Sequence, residues 1–233
     1  MNLRRNLLYY CKLTIAVILF GYLGQFRLYA GTFDLYSSSG YAKGSLQFID
    51  EIPLTFTPHI LTMEYAYHYP QTSLVITSSA SYHLAQINES IGGLKVTGSY
   101  RANLLGFGFA YRFDQYEIAS QFKGAVAHTM NLEYHVSSSI NGRIIQNSTI
   151  HVLKGGLGAL ARLAFMGKIP KIGKTSASLK YGFVFDYFHQ ALSSRGIHSR
   201  KYDGSTIDEN KYKNDIDYIF QYTGISLVFG IFI

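Results

Sequence analysis

Residues 105–113 read Leu-Gly-Phe-Gly-Phe-Ala-Tyr-Arg-Phe, with a bulky apolar side chain at every second position. A period of two sends successive side chains of an extended chain to opposite faces. The stretch therefore predicts a β-strand with one bulky face and one face of small or charged residues. Residues 61–69 and 179–187 alternate in the same way. We expect an all-β protein.

Two architectures accommodate such strands. In a soluble sandwich the bulky face packs into a core, whereas in a membrane barrel it meets lipid and the polar face lines the lumen. The order of strands and connections distinguishes them. Eight strands are predicted, at 32–48, 60–69, 73–85, 103–113, 116–134, 151–165, 176–188 and 215–233.

The connections between these strands alternate in length. Tight turns are predicted at 70–72 and 114–115, long loops at 49–59, 86–102, 137–150 and 189–214, and a loop of middle length at 166–175. This alternation is typical of a single closed antiparallel transmembrane β-barrel with short periplasmic turns and long extracellular loops. A Greek-key sandwich has no reason to keep it. Ten strands are an alternative, if 31–59 holds two short strands and the last strand splits at Thr223-Gly224.

The last twelve residues, 222–233, read Tyr-Thr-Gly-Ile-Ser-Leu-Val-Phe-Gly-Ile-Phe-Ile. Gly224, Leu227 and Phe229 have the spacing found in the final strand of small bacterial outer-membrane β-barrel proteins. In organisation the chain resembles the eight-stranded OmpA-type and OmpX-type barrels. The resemblance implies that the barrel assembly machinery reads this strand as an insertion signal. Ile233 departs from the pattern, because an aromatic residue is usual there.

Residues 1–30 have the features of a secretory signal peptide. Basic residues precede an apolar run at 13–24, and a segment ending at Ala30 predicts the cleavage site. The run is too short for a membrane-spanning helix, which needs about 20 residues. We therefore divide the chain into a signal peptide, 1–30, and an outer-membrane barrel domain, 31–233.

Removing 1–30 changes the composition that the chain presents. This removes four of the 21 basic residues and no acidic residue. The remaining chain has 17 basic and 14 acidic residues, and its net charge falls from +7 to +3. Such a thin excess gives no reason to expect nucleic-acid binding, which concentrates Lys and Arg on one face. Cys11, the only cysteine, leaves as well, which excludes disulfides and thiol chemistry.

Charged residues fall on the faces opposite the bulky ones, which in a barrel line the lumen. An eight-stranded barrel is just wide enough for side chains to fill it, so we expect these charges to pair and to plug the lumen. Small residues such as Gly106 and Gly108 leave room for long basic side chains. The predicted lumen network comprises Glu64, Arg112, Glu117, Lys123, Lys154, Arg162, Lys180 and Asp186.

One residue pair suggests catalysis. His135 and Ser137 have the His-x-Ser spacing of outer-membrane lipid A acyl hydrolases, in which the His activates the Ser and an acid orients the His. The pattern arises easily by chance among 8 His and abundant Ser, and the expected neighbouring Asn is absent. The histidines show no metal-ligand spacing backed by Cys or a carboxylate. We expect no enzyme, no metal and no cofactor.

The last long loop holds Arg195, Arg200 and Lys201, which we consider as contacts for a polyanion such as lipopolysaccharide. Interleaved acids favour an ordinary solvated loop instead. We expect a monomeric barrel in the bacterial outer membrane, with a structural, surface-interaction or adhesin-like role. Its partners would be outer-membrane lipid, lipopolysaccharide and the assembly machinery. A lipid-modifying enzyme and a narrow pore for small solutes are the alternatives.

Overall fold

The computed structural model describes residues 31–47, 51–69, 71–91, 94–140, 143–154, 156–169, 178–202 and 205–232. The predicted signal peptide, 1–30, lies outside these residues. The strands are β1 (Gly31–Gln47), β2 (Glu51–His68), β3 (Leu74–Ile91), β4 (Leu94–Phe113), β5 (Tyr116–Ile140), β6 (Arg143–Lys154), β7 (Gly158–Ile169), β8 (Ser178–Tyr202) and β9 (Ser205–Phe232). Within the described ranges, no helix is long and apolar enough to cross a membrane.

The strands form one antiparallel sheet that closes on itself. Each strand pairs with the next along the chain except β6 and β7, and β9 returns to pair with β1. β6 and β7 share one place in the wall, because each pairs with both β5 and β8. The barrel therefore has eight strand positions, which confirms the predicted fold class. The ten-strand alternative is wrong, because β9 runs unbroken from Ser205 to Phe232.

A break separates β6 from β7 and changes which residues face inward. Gly156 adopts a φ of 78°, where other residues are strained, and a Cβ there would lie 2.2 Å from the carbonyl oxygen of Ala191. Leu153 is buried before the break and Leu160 after it. The inward positions thus change from odd to even numbers. The prediction of Lys154 as a lumen residue is wrong for this reason, since its side chain is exposed.

A belt of exposed apolar side chains surrounds the barrel. It covers 61–69 in and just after β2, 74–82 of β3, 105–113 of β4 and 179–187 of β8. A tilted strand needs about 9 to 11 residues to cross a bilayer, which these runs supply. Exposed tyrosines mark the belt's edges, with Tyr41, Tyr82 and Tyr187 at one and Tyr69, Tyr111 and Tyr116 at the other. Aromatic girdles of this kind flank the lipid-facing band of outer-membrane barrels.

The strands continue well beyond the belt on the side away from the first residue of β1 and the last residue of β9. Most of the sequence in the four segments predicted as long loops is strand. β8, for example, continues from residue 188 to Tyr202, about 50 Å of strand at ~3.3 Å per residue. These segments have a polar composition typical of loops, but their backbone groups pair with neighbouring strands. The extension is tallest along β5, β6, β8 and β9.

Candidate functional site in the lumen and the outer sheet

The lumen inside the belt contains a layer of charged side chains. Arg162 of β7 and Asp186 of β8 stand opposite each other in the ladder. The Arg162 Nε and Nη2 groups donate to the two Asp186 oxygens at 2.8 and 2.9 Å. Both side chains are almost completely buried. Arg162 also donates to the hydroxyl of Ser38 at 3.2 Å, which links β7 to β1 across the lumen.

Lys180 is the centre of a second group of charges, nearer the periplasmic end. Its Nζ lies 2.5 Å from Asp34 Oδ2. It also lies 3.6 Å from Glu64 Oε1 and 3.7 Å from Glu117 Oε1. Arg112 completes the group by donating to Glu117 at 2.8 Å. Buried charges are tolerated when they are paired in this way.

Lys123 is buried higher in the lumen and bonds to hydroxyls. Its Nζ donates to Ser81 at 2.8 Å and to Thr62 at 3.5 Å, and those two hydroxyls lie 2.9 Å apart. Gly106 stands opposite Lys123 in the ladder. A Cβ at Gly106 would lie 2.5 Å from Lys123 Cγ, so the glycine leaves the space that the lysine stem occupies.

The structure places most of the predicted lumen residues inside the barrel. The buried ones are Glu64, Glu117, Lys123, Arg162, Lys180 and Asp186. Arg112 lies at the periplasmic mouth with 22% of its side chain exposed. Two further charged residues are buried and were missed, Asp34 and Lys168. Asp34 alternates with Phe33 and Leu35, which is a signal that the sequence carries.

An aromatic layer fills the lumen above the charges. Its members are Phe56, Tyr100, Phe188, Phe220 and Tyr222, with neighbouring rings 5.2 to 5.9 Å apart. The polar atoms have partners. The Tyr222 hydroxyl lies 3.2 Å from His83 Nε2, and the Tyr100 hydroxyl donates to Gln190 at 3.2 Å. Side chains thus occupy the lumen at both levels.

The outer sheet brings Glu133 next to His135. Both lie on the outward face of β5, with Glu133 Oε1 3.4 Å from His135 Nε2 and each side chain 41% exposed. Ser137 follows two residues later on the same strand, and the structure does not describe its side chain. Glu133 is therefore an acid in contact with His135, whereas the neighbouring Asn expected from the sequence pattern is absent. Within the described residues, no group of three or more His, Cys, Asp or Glu is placed to hold a metal ion.

The ladder between β6 and β8 places the three basic residues of the last predicted loop on two faces. Arg195 stands opposite Val152, whose side chain is exposed, so Arg195 belongs to the outward face. Lys201 shares that face by its register. Arg200 belongs to the opposite face, where the ladder pairs it with Asp208. Their side chains lie outside the described ones.

His151 of β6 is buried inside the extension. It lies six residues before Leu157, the first exposed residue of the belt in the part of the wall that β6 and β7 share. Its Nδ1 lies 2.7 Å from the hydroxyl of Tyr218. Burial away from water lowers the pKa of His151 below its usual value. The histidine is therefore neutral near pH 7 and belongs to the packing of the outer lumen.

The three residues of the predicted assembly signal lie in β9. Leu227 and Phe229 point outward in the belt, with 61% and 66% exposed. Gly224 stands between Ala42 of β1 and Asp186 of β8. Their role in insertion stays a prediction.

These features define the class of the protein. A closed eight-stranded antiparallel barrel with an outward apolar belt, two tyrosine girdles and a tall outer sheet is a small barrel of the bacterial outer membrane. This location rests on the belt, because only closed barrels and helices satisfy backbone groups within lipid.

Comparisons with solved structures give matches of low identity and low TM-score. The chain is similar to Ail, the attachment invasion locus protein of Yersinia pestis, at 13% identity and a TM-score of 0.32, over 85% of this chain and 99% of that one. It is similar to a major outer membrane protein of Thermus thermophilus, at 13% identity and a TM-score of 0.35, over 86% and 100%. The outer membrane protease OmpT of Escherichia coli matches at 9% identity and a TM-score of 0.34, over 88% and 97%. No protein-family model matches the chain. No curated protein matches it either.

Proposed function

We propose that the protein is a non-conducting surface barrel that binds anionic sugars through its outer sheet. Two observations together carry this proposal. Charged and aromatic side chains fill the lumen at two levels, and β8 continues past the belt for about 50 Å of strand length. A filled lumen leaves the outer sheet as the surface on which a partner can act. A structural or adhesin-like role agrees with the same arrangement.

The outward face of the extension carries more bases than acids. The ladders place Lys95, Lys154, Arg195, Lys201 and Lys211 on this face, together with Glu133, Glu209 and Asp217. Clustered basic groups attract phosphate and sulfate. The face stands beside the sugars of lipopolysaccharide, which carry such groups. Lipopolysaccharide core oligosaccharide and sulfated polysaccharide are therefore the ligands to test.

The test compares two variants of the full barrel. We expect Arg195→Gln with Lys201→Gln to weaken binding of core oligosaccharide or of a heparin fragment about 30-fold at low salt, since each base near an anionic surface contributes about 1 kcal/mol. Arg200→Gln is the matched control, because its register puts it on the other face. Equal binding by the unchanged barrel, the double variant and the control contradicts the proposal. Comparing core oligosaccharide with the heparin fragment shows whether the barrel prefers a bacterial polyanion or one from another source.

The pore alternative has a direct test. Paired charges and stacked rings occupy the lumen, so we expect planar-bilayer recordings to show no ion conductance. Stable conductance steps from the purified barrel would contradict a closed lumen.

The acyl hydrolase is the second candidate, and the contact between Glu133 and His135 favours it. Its position argues against a lipid ester as substrate. His135 lies nine residues beyond Val126, the last exposed apolar residue of β5 in the belt, which is about 20 Å at ~3.3 Å per residue and a tilt near 40°. Mass spectra of lipid A from cells with the protein and with Ser137→Ala should be identical. A missing acyl chain that depends on Ser137 would establish the enzyme.

A further inference from the structure

The belt contains a groove on its outward side, across β4, β5, β7, β8 and β9. The groove has a cavity volume of about 530 Å³. Its walls are apolar and largely aromatic, and include Ile118, Phe165, Phe183 and Phe229. Ligand pockets in proteins commonly enclose about 300–1,000 Å³. The groove is large enough to hold a hydrocarbon chain.

Two glycines contribute to the lining, Gly167 and Gly182. The ring of Tyr181 lies over Gly167, where a Cβ would come within 2.6 Å of Tyr181 Cζ. Phe165 and Phe183 stack beside this site with their ring centroids 5.2 Å apart. The groove is therefore shaped by packed rings, which hold their positions, and it does not depend on a loop.

The groove lies in the periplasmic half of the belt. Tyr116 is the first residue of β5, and Gly167 stands opposite it, two residues before β7 ends. Hydrocarbon surrounds the belt at this depth, and the periplasmic leaflet consists of phospholipid, while lipopolysaccharide occupies the other leaflet. Polar groups lie at the mouth, where Gln115 Nε2 donates to the Tyr116 hydroxyl at 3.1 Å.

We propose that this groove binds one acyl chain of a periplasmic-leaflet phospholipid, with the ester and phosphate groups beside Tyr116 and Gln115. The bound lipid would stay with the barrel longer than the lipids that contact the rest of the belt.

Native mass spectrometry tests this proposal with palmitoyl-oleoyl phosphatidylethanolamine added to the delipidated barrel in detergent. We expect one lipid per barrel. Ile118→Trp fills the groove and should lower the retained fraction at least tenfold. Ile76→Trp is the control, since Ile76 lies in the belt on β3 with 40% of its surface exposed, against 38% for Ile118. Equal retention by both variants, or an adduct with the mass of a second barrel, overturns the proposal.

A second measurement remains if Ile118→Trp fails to fold. The chain has no Trp, so Phe183→Trp places a single Trp in the groove wall, which can be excited selectively over the tyrosines. Brominated phosphatidylethanolamine should quench it at a lipid-to-detergent ratio at least tenfold lower than it quenches Phe107→Trp, in the belt on β4. Quenching of both at the same ratio would contradict a lipid site.

Discussion

Replacing Arg162 by methionine should destabilise the barrel strongly, because Asp186 would then be a buried carboxylate without its partner. The pair makes two short hydrogen bonds, and its side chains are 0% and 1% exposed. Removing one member of a buried ion pair costs about 3–5 kcal/mol. Replacing both members by apolar residues of similar volume is often neutral or stabilising. Arg162→Met combined with Asp186→Leu should therefore recover most of the loss.

The assay is urea unfolding of the barrel in detergent, followed by far-ultraviolet circular dichroism and by the gel shift on heating, since the chain has no Trp. With a slope of about 1–3 kcal/mol per molar urea, the single variant should unfold at a midpoint roughly 1–5 M lower. The reasoning is refuted if the single variant loses less than about 1 kcal/mol, or if the double variant is as unstable as the single one.

Three further outcomes are expected from the same unfolding assay. Gly106→Ala should cost about 1–3 kcal/mol, because its Cβ would lie 2.5 Å from the side chain of Lys123, whereas Gly124→Ala, with no atom nearer than 4.0 Å, should be nearly neutral. Equal effects would contradict close packing at Gly106. Stability should fall as the pH drops below about 6.5, partly because the lowered pKa of His151 makes the folded barrel bind a proton less readily than the unfolded chain does. His151→Gln should reduce that loss of stability. An unchanged dependence of stability on pH would show that His151 does not contribute to it. Lys154→Gln should change the free energy of unfolding by less than about 0.5 kcal/mol, as expected for an exposed side chain, and a loss above ~2 kcal/mol would return Lys154 to the lumen.

Residues 105–113 show why the belt was predictable. Their alternation depends only on the geometry of a strand, and lipid on one side with a narrow lumen on the other separates the bulky residues from the small ones. The structure confirms this separation, with Phe107, Phe109 and Tyr111 exposed and Ala110 buried.

Residues 218–229 show where the pattern misleads. The apolar residues change from even to odd numbers near Gly224, which made a split strand an alternative. The strand instead keeps its even-numbered residues inward throughout, including Tyr222, Ser226 and Val228. Above the belt the bulky residues face the lumen because the outside is water, and within the belt they face lipid. The surroundings of the outward face of β9 change from water to lipid along the strand, while the geometry of the strand stays the same.

The sequence by itself determined the class of fold, the spanning strands and most of the buried charges, because those follow from a period of two and from the scarcity of charge on a lipid-facing surface. Only the tertiary structure decided which polar segments are strands, since their backbone bonds come from distant neighbours. It also decided the inward face after the break at Gly156, which moved Lys154 outside. The groove in the belt, likewise, exists only where five strands bring their rings together.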